Sequence, residues 1–345
     1  MRITFETLSD KMTLIIKGKP QEFPFEIRKD PLTGATGRVF NFPYQPPKSP
    51  NIEETFKRSE GIFCPFCPEN IEKATPLFPE ELLPEGRIRK GSSTLFPNIL
   101  PLDRYVGVAI FSTQHFVRME ELKPEMMHDA FQLVLEFIRR VSEFDPEVDC
   151  FSINWNYMPP AGSSLVHPHL QVLCGQRPTN HMRLQLEGAN RYYHENGVEF
   201  WDDFIRDEKE NASRYIGEIG ATFWTVGFVP MSHIPDVWCI FPEQKSLLGV
   251  GDETLTSFLK GLASILSYYQ SLNLFSFNVS LLSFKSEEHF RVNARILPRL
   301  VLREIGNSDY TFLQAVHREN ACVYAPESVC QQIREQGFGN PIPKS

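Results

Sequence analysis

The sequence predicts an α+β fold in which one structural unit occurs twice. Two observations predict it. The order strand, helix, strand, loop, strand recurs in the two halves of the 345-residue chain, and each of the two long helices carries one apolar stripe. A chain of this length accommodates two domains of common size. We therefore expect an N-terminal domain over residues 1–200 and a C-terminal domain over residues 201–345.

In the first copy, an apolar run at residues 105–111 predicts a buried strand. Pro124 then opens a helix, since proline is favoured in the first turn. Its apolar residues recur at spacings of three and four. Residues 150–155 form the next strand, and the stretch after Val166 supplies another. Upstream, a turn ends at Gly34, and residues 43–50 are rich enough in proline to predict an extended arm.

The second copy repeats this order. We expect strands at residues 237–241, 275–281 and 289–299, with a helix whose candidate N-cap is Asp252. Aligned with the first copy, Phe241 falls on Phe111. The positions of His167, His169 and Gln171 are then taken by His289, Arg291 and Asn293. The first copy keeps its histidines and the second does not, so we expect one active half and one mostly structural half.

The overall composition is that of a globular protein, with 41% apolar and 23% charged residues. A formal net charge of −8 argues against a nucleic-acid-binding surface. No stretch approaches the ~18 apolar residues of a membrane span, and the N-terminus lacks the apolar core of a signal peptide. The seven cysteines are odd in number and widely spread, which is not a disulfide framework. We expect a cytoplasmic protein with neither nucleic acid nor membrane as a partner.

The most informative stretch covers residues 156–172, where a loop of small residues precedes two histidines and a glutamine. If the chain is extended after Val166, His167, His169 and Gln171 share one face while Leu170 faces a core. Three polar side chains above an apolar layer cost free energy unless they meet a ligand or a metal. The alternative is a histidine-rich turn before an ordinary strand.

A Cys-x-x-Cys pair and two distant histidines suit tetrahedral zinc, because two thiolates and two neutral imidazoles balance the charge of the ion. Cys64 and Cys67 supply the first pair, and His115 and His167 are the best second pair. The alternative is a pair of free thiols. A thioredoxin-like redox pair is less favoured, since no strand and helix bracket the cysteines in the expected way.

With His167 on the metal, His169 is left as the reactive group, since a neutral imidazole is a good nucleophile toward phosphorus. Gln171 on the same face could bond a phosphate oxygen as charge develops. The loop before them could offer backbone amides and hydroxyls to the same phosphate, from Gly162, Ser163 and Ser164. Arg28 is a candidate charge clamp, although a lone arginine in a polar arm is more often solvated.

These elements together resemble galactose-1-phosphate uridylyltransferase and its relatives in the histidine-triad superfamily. The resemblance runs from about Arg28 to Arg299, and the order and spacing of its elements are highly specific. It implies duplicated histidine-triad-like units built on a mostly antiparallel sheet covered by helices. The N-terminal domain would hold the zinc site and the nucleophile, and the C-terminal domain would be degenerate.

By the same resemblance, His169 would attack the α-phosphorus of a nucleotide sugar, release hexose 1-phosphate and hold the nucleotide. A second sugar phosphate, or inorganic phosphate, would then take the nucleotide in a ping-pong transfer that belongs to carbohydrate, in particular galactose, metabolism. Gln171 would stabilise the phosphate. Asn156 and the loop after it would bind phosphate, and Asn98 the nucleotide.

The resemblance also implies one structural zinc per chain, bound by Cys64, Cys67, His115 and His167, and a homodimer in which Arg28 reaches the partner subunit's site. Three departures bear on the substrate. Leu170 stands where the uridylyltransferases usually have glycine, and residues 44–48 replace a polar stretch rich in arginine and lysine. Arg291 stands where a second metal site would need histidine, so we expect that site to be absent.

Four functions remain open. The first is transfer of a nucleotide from UDP-glucose to a hexose 1-phosphate, and the second is phosphorolysis of a nucleotide sugar such as ADP-glucose by the same nucleophile. The third is a histidine-triad hydrolase, which Gln171 disfavours because those enzymes carry a further histidine there and glutamine shuttles no proton. The fourth is a zinc-stabilised nucleotide-binding protein without activity, which has no need of His169.

Overall fold

The computed structural model describes residues 3–40, 52–301 and 308–339. Within these ranges the strands are β1 (Glu6–Ile16), β2 (Lys19–Lys29), β3 (Thr36–Phe40), β4 (Ile88–Lys90), β5 (Ser93–Pro97), β6 (Tyr105–Ile110), β7 (Cys150–Tyr157), β8 (His169–Gly175), β9 (Tyr215–Ile219), β10 (Thr222–Val226), β11 (Val237–Ile240), β12 (Phe277–Phe284), β13 (Asn293–Pro298) and β14 (Asn320–Cys322). The helices are α1 (Ile52–Glu60), α2 (Ile71–Ala74), α3 (Pro124–Phe144), α4 (Asn180–Asn196), α5 (Phe200–Asn211), α6 (Asp252–Ser271) and α7 (Pro326–Glu335).

The strands form a ten-stranded sheet and a smaller four-stranded sheet. The large sheet has the order β4-β5-β6-β8-β7-β12-β13-β11-β10-β9 and is antiparallel throughout. Its two halves repeat one order, since β4-β5-β6-β8-β7 corresponds to β9-β10-β11-β13-β12. The predicted α+β fold with an internal duplication is confirmed. The predicted domain boundary, between residues 200 and 201, falls between the two repeats. Because the repeats share one sheet, the division into two domains stays a prediction.

One face of the large sheet is covered by α3 and α6, which pack against each other. The predicted apolar stripes form this core, and α3 begins at Pro124 as expected. The second helix begins at Asp252, with Gly251 in the cap position, so the predicted N-cap was wrong by one residue. None of the described helices has the length and apolarity that a membrane crossing requires.

The opposite face is covered differently in the two repeats. In the second repeat, α4 and α5 place an aromatic cluster on it, in which Trp201 and Phe204 contact Trp238. The same face of the first repeat carries a smaller apolar cluster of Ile71, Phe96, Val108 and Ile110, with Phe66 against it. We call this face of the first repeat the open face, and the predicted site residues of β8 lie on it.

The strand register corrects the predicted alignment of the two copies. The amide of Phe111 donates to Pro168, and the amide of Phe241 donates to Val292, which confirms that Phe241 corresponds to Phe111. Ile110 pairs with His169, and Ile240 pairs with Asn293. The positions of His167, His169 and Gln171 are therefore taken by Arg291, Asn293 and Arg295. The predicted alignment was wrong by two residues, a shift that keeps every side chain on its face and so escapes a periodicity argument.

The N-terminal region is more structured than its composition suggested. β1 and β2 form a long antiparallel hairpin, and β3 continues the small sheet, with β14 parallel to it. The predicted turn is confirmed at Gly34, whose φ is +73°, a value that favours glycine. The predicted arm at residues 43–50 lies outside the described residues.

Candidate metal centre and active site

Two cysteines and two histidines from three separate segments meet at one end of the open face. The ligand atoms of Cys64, Cys67, His115 and His167 all lie within 4.8 Å of one another. The Cys67 sulfur is 3.3 Å from Nδ1 of His115, and the sulfurs of Cys64 and Cys67 are 3.8 and 3.9 Å from Nδ1 of His167. The usual zinc bond lengths place sulfur and nitrogen about 3.6 Å apart across a tetrahedral ion. The geometry of this cluster therefore fits a bound metal ion.

Local hydrogen bonds hold the cysteines in place before α2. The amide of Cys67 donates to the carbonyl of Cys64 at 3.4 Å, and the side chain of Asn70 donates to the same carbonyl at 2.8 Å. The two histidines flank the paired strands, since His115 follows β6 and His167 precedes β8. The antiparallel pairing of β6 with β8 thus brings the distant histidines to the same strand ends.

Both histidines present Nδ1 to the cluster because Nε2 is engaged elsewhere. Nε2 of His167 donates to the carbonyl of Ser112 at 2.9 Å, and Nε2 of His115 is 3.2 Å from the hydroxyl of Ser59. A carbonyl only accepts, so Nδ1 of His167 carries a lone pair. Burial lowers the pKa of His167 to about 4 and keeps the ring neutral. Outer hydrogen bonds of this kind orient histidine ligands for a metal.

His169 is the first residue of β8, and it is 7% exposed. Its Nδ1 lies 2.8 Å from the carbonyl of His167 and therefore donates to it. Nε2 is left with its lone pair, and none of the described residues forms a hydrogen bond with it. Burial lowers the pKa of His169, so the ring is neutral at neutral pH. This tautomer and charge are those a nucleophilic imidazole needs.

The metal cluster and His169 are physically joined. The ring of His167 belongs to the cluster, while its backbone carbonyl fixes the ring of His169. Phe66, between the two cysteines, makes a second connection. Its ring centroid lies 5.2 Å from that of His169, 6.0 Å from that of His167 and 5.2 Å from that of Phe96. We therefore expect a substitution in the loop of Cys64, Phe66 and Cys67 to shift the ring of His169.

Polar side chains line the middle of the open face beside His169. Asn154 of β7 is paired with Gln171 of β8 on one side and with Ser280 of β12 on the other. The hydroxyl of Ser280 donates to Oδ1 of Asn154 at 2.8 Å. Sequence reasoning missed Asn154 and Ser280. The signal was present in β7, where Ser152, Asn154 and Asn156 alternate with apolar residues at the period of a strand.

The loop after β7 is held in an unusual backbone conformation. Met158, which is buried, has φ 70° and ψ 159°, a region that non-glycine residues avoid at a cost of about 1–3 kcal/mol. Gly162 has φ 87°, which glycine adopts without strain. The hydroxyl of Ser163 donates to the carbonyl of Leu165 at 2.6 Å and braces the loop. Gly162 and Ser164 are exposed, so they are the members of the predicted set that can meet a ligand.

Asn98 lies directly after β5. Its amide donates to the carbonyl of Val106 across the turn between β5 and β6. Asn98 therefore stands at the end of β5 as well as before β6. Oδ1 accepts from the amide of Leu100 at 3.1 Å, and Nδ2 is buried without a partner among the described residues. Asn98 borders a cavity of about 450 Å³ that Tyr105 and Phe144 also line.

Arg28 is not brought to the histidine cluster. Its guanidinium bonds both carboxylate oxygens of Glu327 at 2.9 and 3.1 Å and bonds Glu26 at 2.8 Å. It also lies 5.0 Å from the centroid of the Phe228 ring. Arg28 is buried within its own chain, where it connects β2 to α7. Its predicted role at a partner subunit's site stays a prediction.

The equivalent positions of the second repeat are filled by internal contacts. Asn293, which corresponds to His169, accepts a hydrogen bond from Nε1 of Trp238 at 3.0 Å. Arg295, which corresponds to Gln171, pairs with the buried Asp236 at 2.8 Å and lies 3.9 Å from the centroid of the Trp238 ring. These contacts agree with a structural second half, and the assignment of activity to the first half stays a prediction.

Comparison with solved structures shows which proteins share this fold. The fold matches a GalT-like protein of Arabidopsis thaliana, with a TM-score of 0.67 and 18% identity over 90% of this chain and 98% of that chain. It matches an ADP-glucose phosphorylase of the same plant equally well, with 16% identity over the same shares. A uridylyltransferase gives a TM-score of 0.64 at 18% identity, over 90% of this chain and 97% of that chain. The chain therefore has the fold of these GalT-like, phosphorylase and uridylyltransferase structures, which is the fold that the resemblance implied.

No family model matches the sequence. A protein of Archaeoglobus fulgidus, described as uncharacterized, is 32% identical over 326 residues, which are 93% of this chain and 95% of that protein. The chain belongs to the same family as this archaeal protein.

Proposed function

We propose that this protein is a nucleotidyltransferase that moves a nucleoside monophosphate from a nucleotide sugar, of the UDP-glucose type, to a hexose 1-phosphate through a covalent intermediate on His169. One observation carries the proposal. Nδ1 of His169 is fixed as a donor by the carbonyl of His167, so a neutral ring offers the lone pair of Nε2 to the open face.

In the first half of the reaction, the Nε2 lone pair of His169 attacks the α-phosphorus. A phosphorus–nitrogen bond forms as the bond to the bridging oxygen breaks, and the hexose 1-phosphate leaves with that electron pair. The ring gains positive charge in the intermediate. The carbonyl of His167, 2.8 Å from Nδ1, stabilises this charge because a charge-assisted hydrogen bond is stronger than a neutral one.

In the second half, a phosphate oxygen of the acceptor attacks the same phosphorus, and the electron pair of the phosphorus–nitrogen bond returns to Nε2. Neither half requires a net proton transfer. Gln171 lies on the same face of β8, two residues from His169, and its amide can donate to the phosphate oxygens as their charge grows. Asn156 and the backbone amide of Ser164 are the other donors we assign to the phosphates, while Gly162, whose own amide donates to the carbonyl of Pro159 at 2.8 Å, lets the phosphate approach the loop closely.

The nucleoside would lie along β6. Ile110 pairs with His169, and Val108 pairs with Gln171, so the apolar row of β6 runs beside the polar row of β8. Phe96 of β5 pairs with Val108 and gives this row an aromatic surface. Four residues of strand separate Ile110 from Val106, about 13 Å, which is the reach of a nucleoside monophosphate. The base would then approach Asn98.

Zinc is the metal we propose for the four-residue cluster, as one structural ion per chain. Two buried thiol ligands and two Nδ1 ligands, each histidine fixed through Nε2, support this choice. A bound zinc ion would supply rigidity at the strand ends. The residues of the chain do the rest, since the backbone of His167 orients His169.

A second function keeps the nucleophile and changes the acceptor. One structure with this fold is an ADP-glucose phosphorylase with bound ADP-glucose. In that reaction inorganic phosphate takes the place of hexose 1-phosphate as the acceptor. The open face supports both functions because the donors we assign to it would bind phosphates, which both reactions share.

Isotope exchange tests the proposal. With UDP-glucose or ADP-glucose and no second acceptor, a covalent mechanism moves labelled glucose 1-phosphate into the nucleotide sugar. We expect exchange with one of the two donors, followed by net transfer on addition of galactose 1-phosphate. Net product formed with inorganic phosphate alone would identify the phosphorylase. Release of nucleoside monophosphate to water without exchange would contradict both readings.

Phe66 gives a prediction about the link between the metal loop and the nucleophile. Removing its ring in Phe66→Ala frees the imidazole of His169 to move, and we expect the exchange rate to fall about tenfold, since small misplacements of reacting groups are costly. Metal content should stay at the wild-type value. The matched control is Phe63→Ala, because Phe63 belongs to the same loop and is 67% exposed. Equal exchange rates in the two variants would show that the ring does not position His169.

A further inference from the structure

A chain of side-chain hydrogen bonds runs from the second repeat into the loop after β7. Nδ2 of Asn278, on β12, donates to Oδ1 of Asn156 at 2.7 Å and to the carbonyl of Ala161 at 2.9 Å. Oδ1 of Asn278 accepts from Nη1 of Arg299 at 3.0 Å. Arg299 is held in turn by Asp309, which bonds its Nε at 2.9 Å and its Nη2 at 2.5 Å.

The chemistry of these groups fixes the orientation of each amide. A guanidinium only donates, so the atom of Asn278 that faces Arg299 is its oxygen. Its NH₂ group therefore faces Asn156 and Ala161. The atom of Asn156 that meets this NH₂ group is its own oxygen. The NH₂ group of Asn156 is left over, and among the described residues nothing accepts from it.

We propose that Asn278, oriented by Arg299 and Asp309, is a positioning residue that turns the amide of Asn156 so that its NH₂ group donates to a phosphate of the substrate. This inference rests on the proposed function, which supplies the phosphate. Asn278 also holds the carbonyl of Ala161, so one side chain fixes both Asn156 and the loop that Met158 enters in a strained conformation. The structural second repeat thereby contributes to binding in the first.

The readout is the gain in affinity that a phosphate brings, taken as the Kd of the nucleoside divided by the Kd of its monophosphate. The probes are uridine with UMP and adenosine with AMP, measured by calorimetry on the full chain. In Asn278→Ala the amide of Asn156 rotates freely, and we expect the ratio to fall about tenfold, the range for a hydrogen bond to a charged group. The Kd of the nucleoside should not change.

Asn278→Asp distinguishes a residue that orients the amide of Asn156 from one that only supports the loop after β7. The introduced carboxylate only accepts, so Asn156 must turn its NH₂ group toward it and its oxygen toward the phosphate. We expect a larger loss than in Asn278→Ala, although aspartate is nearly the same size as asparagine. In an Asn156→Ala background, replacing Asn278 should change the ratio by less than twofold, because Asn278 acts through Asn156. If neither variant folds, Arg299→Lys removes the guanidinium that fixes the orientation of the Asn278 amide. This variant should also lower the Kd ratio.

The outcomes distinguish this inference from the proposed function. A wild-type protein whose affinity gains nothing from the phosphate would contradict the placement of phosphate at this face. A wild-type gain that persists in Asn278→Ala and Asn278→Asp would overturn the role of Asn278 alone. If the Kd ratio fell no further in Asn278→Asp than in Asn278→Ala, Asn278 would support the loop without orienting the amide of Asn156.

Discussion

Replacing His169 by alanine is expected to abolish the exchange of labelled glucose 1-phosphate into the nucleotide sugar, with a fall of about four orders of magnitude or more. The reason is specific to the mechanism, since the variant lacks the atom that forms the phosphorus–nitrogen bond. Nucleotide binding should persist, because Gln171, Asn156 and the loop after β7 remain. The measurements are exchange kinetics and calorimetric binding of the nucleoside monophosphate.

The control for this prediction is His128→Ala. His128 lies on α3, and its Nε2 is 2.7 Å from the carboxylate of Asp252, away from the cluster. Its loss should leave the exchange rate within about twofold, as surface changes usually do. Exchange that survives in His169→Ala at a rate near the wild-type value would exclude His169 as the nucleophile.

The second large effect concerns the metal. Cys67→Ser should lower the zinc content from one ion per chain to a small fraction, because serine is a poor zinc ligand. A ligand held a thousandfold above its Kd stabilises a fold by about 4 kcal/mol, so the melting temperature should fall on the order of 10 °C. Exchange should fall as well, since His167 no longer holds His169 at a fixed place. Elemental analysis, calorimetry and exchange kinetics measure the three effects.

Cys150→Ser is the matched control for the metal prediction. Cys150 is a buried thiol that packs with the aromatic cluster of the second repeat. Its replacement should cost some stability but leave one zinc per chain. Full zinc content and an unchanged melting temperature in Cys67→Ser would contradict the assignment of Cys67 as a ligand.

Much of the fold followed from apolar periodicity. The stripe of α3 and the buried strand β6 were predictable because each depends on residues close together in the sequence, and the duplication was predictable because the same order of such elements recurs. The long hairpin of β1 and β2 was missed. Most side chains of β1 are exposed, and strands without a buried face leave a weak pattern.

The candidate site also contains residues that the sequence could predict and residues that it could not. Cys64, Cys67 and the histidines were recognisable from residue type and spacing, and the structure brings the four together. Asn278 could not be found, because its contact with Asn156 depends on the pairing of β12 with β7, more than a hundred residues apart. The two-residue error in the second repeat has a related cause. Only the hydrogen bonds between β11 and β13 fix that register.

Intact-protein mass spectrometry tests the central claim most directly. The protein is mixed with UDP-glucose and, separately, with ADP-glucose, beside His169→Ala as the control, and the modified peptide is then sequenced. We predict a mass gain equal to one nucleoside monophosphate less one water, located on His169 and absent in the control. A protein that binds both nucleotide sugars and gains no mass with either, or that carries the nucleotide on another residue, would contradict it.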